Sequence, residues 1–240
     1  MKHGKKLYAR QVKRVFNRLI KQDGRPKHPG LTDPVEQLLL GVLARGTTEA
    51  RAREALNRFK RSMVDYNELR VASPKELVEL LGRDFPQAEQ KAKDINKLLN
   101  AIFDRQHCLD LTFLRNKTRR EARQYLASLD GVDPHTVASV MLLSIGGHAV
   151  PVDDKMLAMM RRDGLVEPSA DVQEVQAFLE RNIAAADAYA FYTLMRRYAA
   201  RAVRELDASA IAVSQSDSAQ QDQPARGSAK RARTARSPAK

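Results

Sequence analysis

Leu129-Asp130-Gly131-Val132-Asp133-Pro134-His135-Thr136-Val137-Ala138 lies between two segments of helical periodicity. Gly131 supplies a backbone conformation that other residues resist, so the link can be tight. Asp133 is placed to cap the second helix, with Pro134 at its first position. Amides left exposed at such a turn suit a phosphate. Taken alone, the stretch fits any pair of antiparallel helices; its surroundings decide more.

Working outward, helical patterns dominate and strand alternation is scarce. Leu7, Val12, Val15, Leu19 and Ile20 space as one helix face, ended by Pro26, Pro29 and Gly30. Asp33-Pro34 reads as an N-cap followed by proline and opens VEQLLLGVLA, apolar on nearly every side and so expected at the centre. A turn around Gly46 leads to a polar helix from about Glu49 to Arg61. Ser73-Pro74-Lys75-Glu76 is a capping box. Residues 86–104 predict a long amphipathic helix with Ala92, Ile95, Leu98, Leu99 and Ile102 inward. Residues 118–129 predict the helix entering the hairpin. Further helices are predicted over 154–163, 171–185 and 187–206, giving an all-α fold of about ten helices. Beyond Asp207 the composition turns to Ala, Ser, Gln, Asp and Pro, which cannot bury enough surface to offset ordering entropy, so a disordered tail is expected.

The net charge of +13 is unevenly placed. Residues 1–30 hold ten Lys/Arg and one acid, residues 208–240 hold six and two, and the stretch between carries 26 of each sign. A neutral body with basic ends points to a polyanion, most simply nucleic acid. No apolar run is long enough for a membrane span, and the charged N-terminus lacks a secretory core, so an intracellular protein without a membrane partner is expected. Cys108 is the only cysteine, which excludes a disulfide framework, a cysteine-rich zinc site and a four-thiolate cluster. The histidines lack ligand spacing and no metal site is expected.

In order and spacing, LDGVDPHTVA, SVMLLSIGGHA and VPVDDKM resemble the helix–hairpin–helix (HhH-GPD) DNA glycosylase superfamily, the group containing endonuclease III. That pattern is L-P-G-V-G-x-K-T-A, an apolar helix, then V-P-V-D-T-H-V. Upstream, DPVEQLLLGVLARGTTEARAREAL resembles the family's first buried helix and turn, and QAEQKAKDINKL its K-A-x-x-I segment. The likeness covers about residues 7–206. It implies two helical lobes with a cleft between them. The expected parts are a basic N-terminal helix and linker (1–30) packing with the C-terminal lobe, a central lobe (31–148) containing the hairpin (about 118–146), a C-terminal lobe (149–207) and the tail (208–240).

The resemblance also implies hydrolysis of the N-glycosidic bond of a damaged or mispaired base, with Asp153 as the catalytic carboxylate. Asp153 is equally an N-cap by its position, and both roles can hold together. Asp154 replaces the usual threonine and, like His135, is a candidate modulator. His135 stands where bifunctional members carry the Schiff-base lysine, so AP lyase activity is not expected. Gly46 stands where a stack-filling glutamine is common, with Arg45 beside it. Asp133 replaces the second hairpin glycine. The expected DNA contacts are Gly131, Val132, Asp133, His135, Thr136, Arg45, Gly46, Arg119 and Arg120. The arginines at the start of the helix entering the hairpin oppose its dipole, which favours a partner phosphate. Arg196, Arg197, Arg201 and Arg204 occupy the zone of the missing cluster cysteines. No cofactor is expected, with room only for a monovalent cation at the hairpin carbonyls. The expected partner is double-stranded DNA, bound by a monomer located in the cytoplasm or nucleoid of a bacterium, or in a nucleus. The alternative is a non-catalytic DNA-binding protein on the same scaffold.

Overall fold

The computed structural model describes residues 2–202, and these are helical with no strand among them. The tail expected from 208 onward lies outside the described residues. Eleven α-helices follow in order: α1 (Lys2–Asp23), α2 (Pro34–Ala44), α3 (Glu49–Ser62), α4 (Tyr66–Val71), α5 (Pro74–Leu81), α6 (Ala88–Gln106), α7 (Arg119–Ala127), α8 (Pro134–Val140), α9 (Asp154–Arg162), α10 (Val172–Asn182) and α11 (185–202). Residues as far as Ala200 form one compact unit, to which everything below refers. No described helix is long and apolar enough to cross a membrane.

The central helix is α2, as its composition requires. Asp33 accepts from the Glu36 amide at 2.8 Å, and Pro34 sets the first turn. Val35, Leu38, Leu39, Leu40, Val42 and Leu43 are all buried, and α3, α6 and α8 pack around the helix. The Ser73–Glu76 capping box starts α5. The inward positions expected of α6 are all buried, but the helix begins at Ala88, not Pro86. Gln87 takes a left-handed conformation (φ 56°), so regular helix can start only after it.

The core face of α1 is Val12, Phe16 and Leu19, and Phe16 meets Phe191 of α11 edge-on at 5.3 Å. Leu7, expected inward, is 55% exposed.

α7 has a second capping box, Thr118 with Glu121. α8 passes into a π-turn, Met141–Ile145, which ends at Gly146 with φ 76°. The Gly147 amide donates back to the Met141 carbonyl at 2.8 Å, closing this end of the helix ahead of Val150-Pro151-Val152.

Candidate active site

The hairpin is held from inside. Asp133 caps α8, accepting from the Thr136 amide at 2.8 Å and the Thr136 hydroxyl at 3.1 Å. Its carboxylate is therefore occupied by Thr136, both oxygens accepting from that residue. Thr136 in turn lies on Gly41 of α2. A Cβ at residue 41 would stand 2.3 Å from Thr136 Oγ1, so only glycine lets the helices approach this closely. Thr136 is 2% exposed and positions the hairpin from beneath.

Gly131 has φ 77° at the exposed tip, and Val132 and His135 are half-buried. The amides of Gly131, Asp133 and His135 donate to no acceptor among the described residues. Three unpaired donors at a helix start suit an anion.

The approach arginines are engaged unequally. Arg119 and Arg123 both bind Glu180 of α10, at 2.5 and 2.9 Å, and that carboxylate also accepts from Gln176. Glu180 therefore offsets the cations that oppose the α7 dipole, and Arg119 is engaged within the fold. Arg120 is exposed without a partner among the described residues. Arg45 is also committed: it donates to Asp94 of α6 at 2.7 Å, and Gln90 holds the other oxygen of that carboxylate. Beside it, Gly46 takes φ 64°, which explains glycine at this turn.

Val150, Pro151 and Val152 are buried and lead the chain directly to Asp153. Asp153 is half-buried and caps α9, with Oδ1 accepting from the Met156 amide at 2.7 Å. Oδ2 makes no hydrogen bond among the described residues. Asp154, one residue on, is exposed, as is Lys155. The neighbouring carboxylates are thus unequal: one is anchored and half-sheltered, the other solvated.

Tyr192, which the sequence did not single out, lies within electrostatic reach of Asp153. Tyr192 of α11 is 6% exposed; burial first, and then the Asp153 charge, push its phenol well above the usual range. Its hydroxyl remains protonated at any working pH. Ser139 of α8 is near enough to influence that phenol, yet its buried Oγ lacks hydrogen-bond geometry to any partner. Arg196 donates to the Tyr192 hydroxyl at 3.4 Å and pairs with Glu49, the first residue of α3. Arg53 holds the other Glu49 oxygen at 2.8 Å. The site thus draws on α3, α8, α9 and α11. Tyr192 had no sequence signal, because one tyrosine in AYAFYTLMRRY looks like its neighbours until the helix is docked.

Searches against protein-family models match none of them to this chain. Solved structures give a consistent answer. An endonuclease III trapped as a covalent intermediate on DNA superposes with a TM-score of 0.63 and 21% identity, covering 78% of this chain and 84% of that one. The Clostridium acetobutylicum 8-oxoguanine glycosylase/lyase bound to duplex DNA gives 0.66 at 17% identity, over 82% of this chain and 70% of that one.

This is the helix–hairpin–helix DNA glycosylase fold.

An H. pylori 3-methyladenine DNA glycosylase shares it too, with a TM-score of 0.62, 18% identity and coverage of 82% and 97%. Among curated sequences, an Arabidopsis thaliana protein provisionally named a DNA glycosylase is 26% identical over 183 residues. That match takes in 73% of this chain and 62% of the relative, so the chain spans less than two thirds of the plant protein. The glycosylase fold often carries a four-thiolate iron–sulfur cluster. One exposed cysteine, Cys108, cannot supply four ligands, so the residues present do not fit that group.

Proposed function

We propose that this protein is a DNA glycosylase that hydrolyses the N-glycosidic bond of a damaged or mispaired base and lacks AP lyase chemistry. One observation carries the reading: Asp153 is half-sheltered, anchored through a single oxygen, and leaves its second oxygen without a hydrogen bond among the described residues. Cleavage of the glycosidic bond develops positive charge on the sugar in an oxocarbenium-like transition state. A fixed carboxylate stabilises that charge best when it is pre-oriented and partly shielded from water. The Met156 amide orients Asp153, and the free Oδ2 is the oxygen available to the sugar or to an attacking water. The unpaired hairpin amides hold a backbone phosphate, and the target nucleotide leaves the stack to reach the carboxylate.

The absence of lyase chemistry rests on His135 in the hairpin position where bifunctional relatives carry lysine. An imidazole forms no stable Schiff base with an abasic sugar. Lys155 is exposed on the first turn of α9 and is a poor substitute.

The test is release of free base from a panel of damaged and mismatched duplexes. Asp153→Asn is expected to reduce the single-turnover rate by at least about 100-fold while sparing DNA binding. Asp154→Asn is expected to cost far less; the reverse order would assign the chemistry to the other carboxylate. No adduct is expected to be trapped by borohydride, and trapping that disappears in Lys155→Ala would refute the monofunctional reading. A parent protein that binds every duplex and releases no base would be a non-catalytic DNA binder on this scaffold.

A further inference from the structure

Several arginines of the helical body are matched to carboxylates: Arg45 to Asp94, Arg61 to Glu54, Arg119 and Arg123 to Glu180, Arg162 to Asp163, and Arg196 to Glu49. α1 is built otherwise. Arg10, Lys13, Arg14 and Lys21 lie on one exposed face, and none makes an ion pair or side-chain hydrogen bond among the described residues. Asn17 lies between them, and Arg18 borders the stripe, 5.7 Å over the Tyr198 ring. The only acid in α1 is Asp23, its last residue.

Like charges three and four residues apart repel, so the stripe is unfavourable in isolation. Its opposite face is anchored through Val12, Phe16 and Leu19, which fixes the cations in a rigid row instead of on a loose arm. Arg10 to Lys21 spans about 16 Å at the helical rise. That is roughly the axial length of five phosphates on one DNA strand. A lipid surface fits less well, because an interfacial helix inserts an apolar face and this helix has already buried its own.

We propose that the outer face of α1 is a second nucleic-acid surface, on which Arg10, Lys13, Arg14 and Lys21 grip the phosphate backbone of duplex DNA. The proposal rests on the reading of this chain as a DNA-acting protein and extends its footprint beyond the hairpin and Asp153. The row contacts phosphate alone, so it adds affinity to damaged and undamaged duplex alike and leaves lesion choice unchanged.

The experiment uses the full chain and a short undamaged duplex across a salt series. Combining Arg10→Gln, Lys13→Gln, Arg14→Gln and Lys21→Gln is expected to flatten the log–log salt slope by about 3–4 units, at about 0.9 per phosphate contact. The melting temperature and the single-turnover rate at saturating protein are expected to stay at parent values. The charge-keeping pair Arg10→Lys and Arg14→Lys is expected to retain the parent slope. An unchanged slope in the glutamine variant would overturn the proposal, as would equal flattening in the lysine pair. Selective loss of binding to phosphatidylserine vesicles, with duplex binding intact, would reassign the surface to membrane and also overturn it. A parent that binds no duplex removes the DNA reading itself. A parent that binds duplex and releases base from damaged duplex, with a variant of identical slope, removes only the role of α1.

Discussion

α1 and α7 both open on basic residues, and both lack acids enough in their own sequence to balance them. In the fold they diverge. α7 delivers Arg119 and Arg123 to Glu180, which is 11% exposed and also accepts from Gln176. α1 keeps Arg10, Lys13, Arg14 and Lys21 in solvent without an acid. The α7 cations hold α10 against the hairpin helix; the α1 cations hold nothing inside the described fold. A count of charges treats the two helices alike, and the partner supplied by another element separates structural cations from available ones.

The strongest way to break the organised side of this comparison is at the hairpin seat. Gly41→Ala places a Cβ against Thr136 at 2.3 Å and is expected to destabilise by about 3 kcal/mol, read as a lower denaturant midpoint. Its duplex affinity should also fall, because the amides of α8 move with Thr136. Parent-like stability would show that the two helices separate freely. Glu180→Gln leaves Arg119 and Arg123 without their counter-charge and is expected to cost about 1–3 kcal/mol in the same measurement. The four glutamine substitutions on α1 should each stay within about 0.5 kcal/mol of neutral. Equal losses from both sets would erase the distinction. Asp133→Ala removes the α8 cap and should cost about 1 kcal/mol. It should not improve phosphate binding, because Thr136 already occupies both carboxylate oxygens.

The smallest expected effect is a pH dependence. Lys91 of α6 is buried, donates to the Leu43 carbonyl at 3.0 Å and lies over the Phe85 ring. Burial, with Arg45 and Arg51 nearby, brings its ammonium down to about 8. The unfolded chain binds the proton more tightly than the folded one between that value and the ordinary lysine range. Stability should therefore rise as pH increases from about 8 toward 10. Thermal melting across that window should show the rise in the parent and lose it in Lys91→Met; identical profiles would remove Lys91 as the cause.

Much was legible before folding because it is local. The caps at Asp33, Ser73, Asp133 and Asp153 need only a side-chain oxygen and an amide three residues on, and each is present. The 3.6-residue spacing of Ala92, Ile95, Leu98, Leu99 and Ile102 was enough to place the inner face of α6. The burial of α2 followed from its composition. Other features depend on residues far apart in the chain. Phe16 of α1 is covered because Phe191 of α11 meets it, while Leu7, on the same helix, stays exposed. Thr136 is an exposed-looking threonine until Gly41 of α2 lies beneath it. Tyr192 becomes distinctive only when α11 brings it within electrostatic reach of Asp153, about forty residues earlier in the chain. Sequence by itself determined most of the helices (though not α4), the caps at Asp33, Ser73, Asp133 and Asp153, the order of the hairpin and VPVD segments, and the excess of cations. Tertiary structure alone decided which cations are matched and which tyrosine lies within electrostatic reach of the carboxylate. Ion pairing and desolvation act through space between separate helices, whereas periodicity and capping act within one.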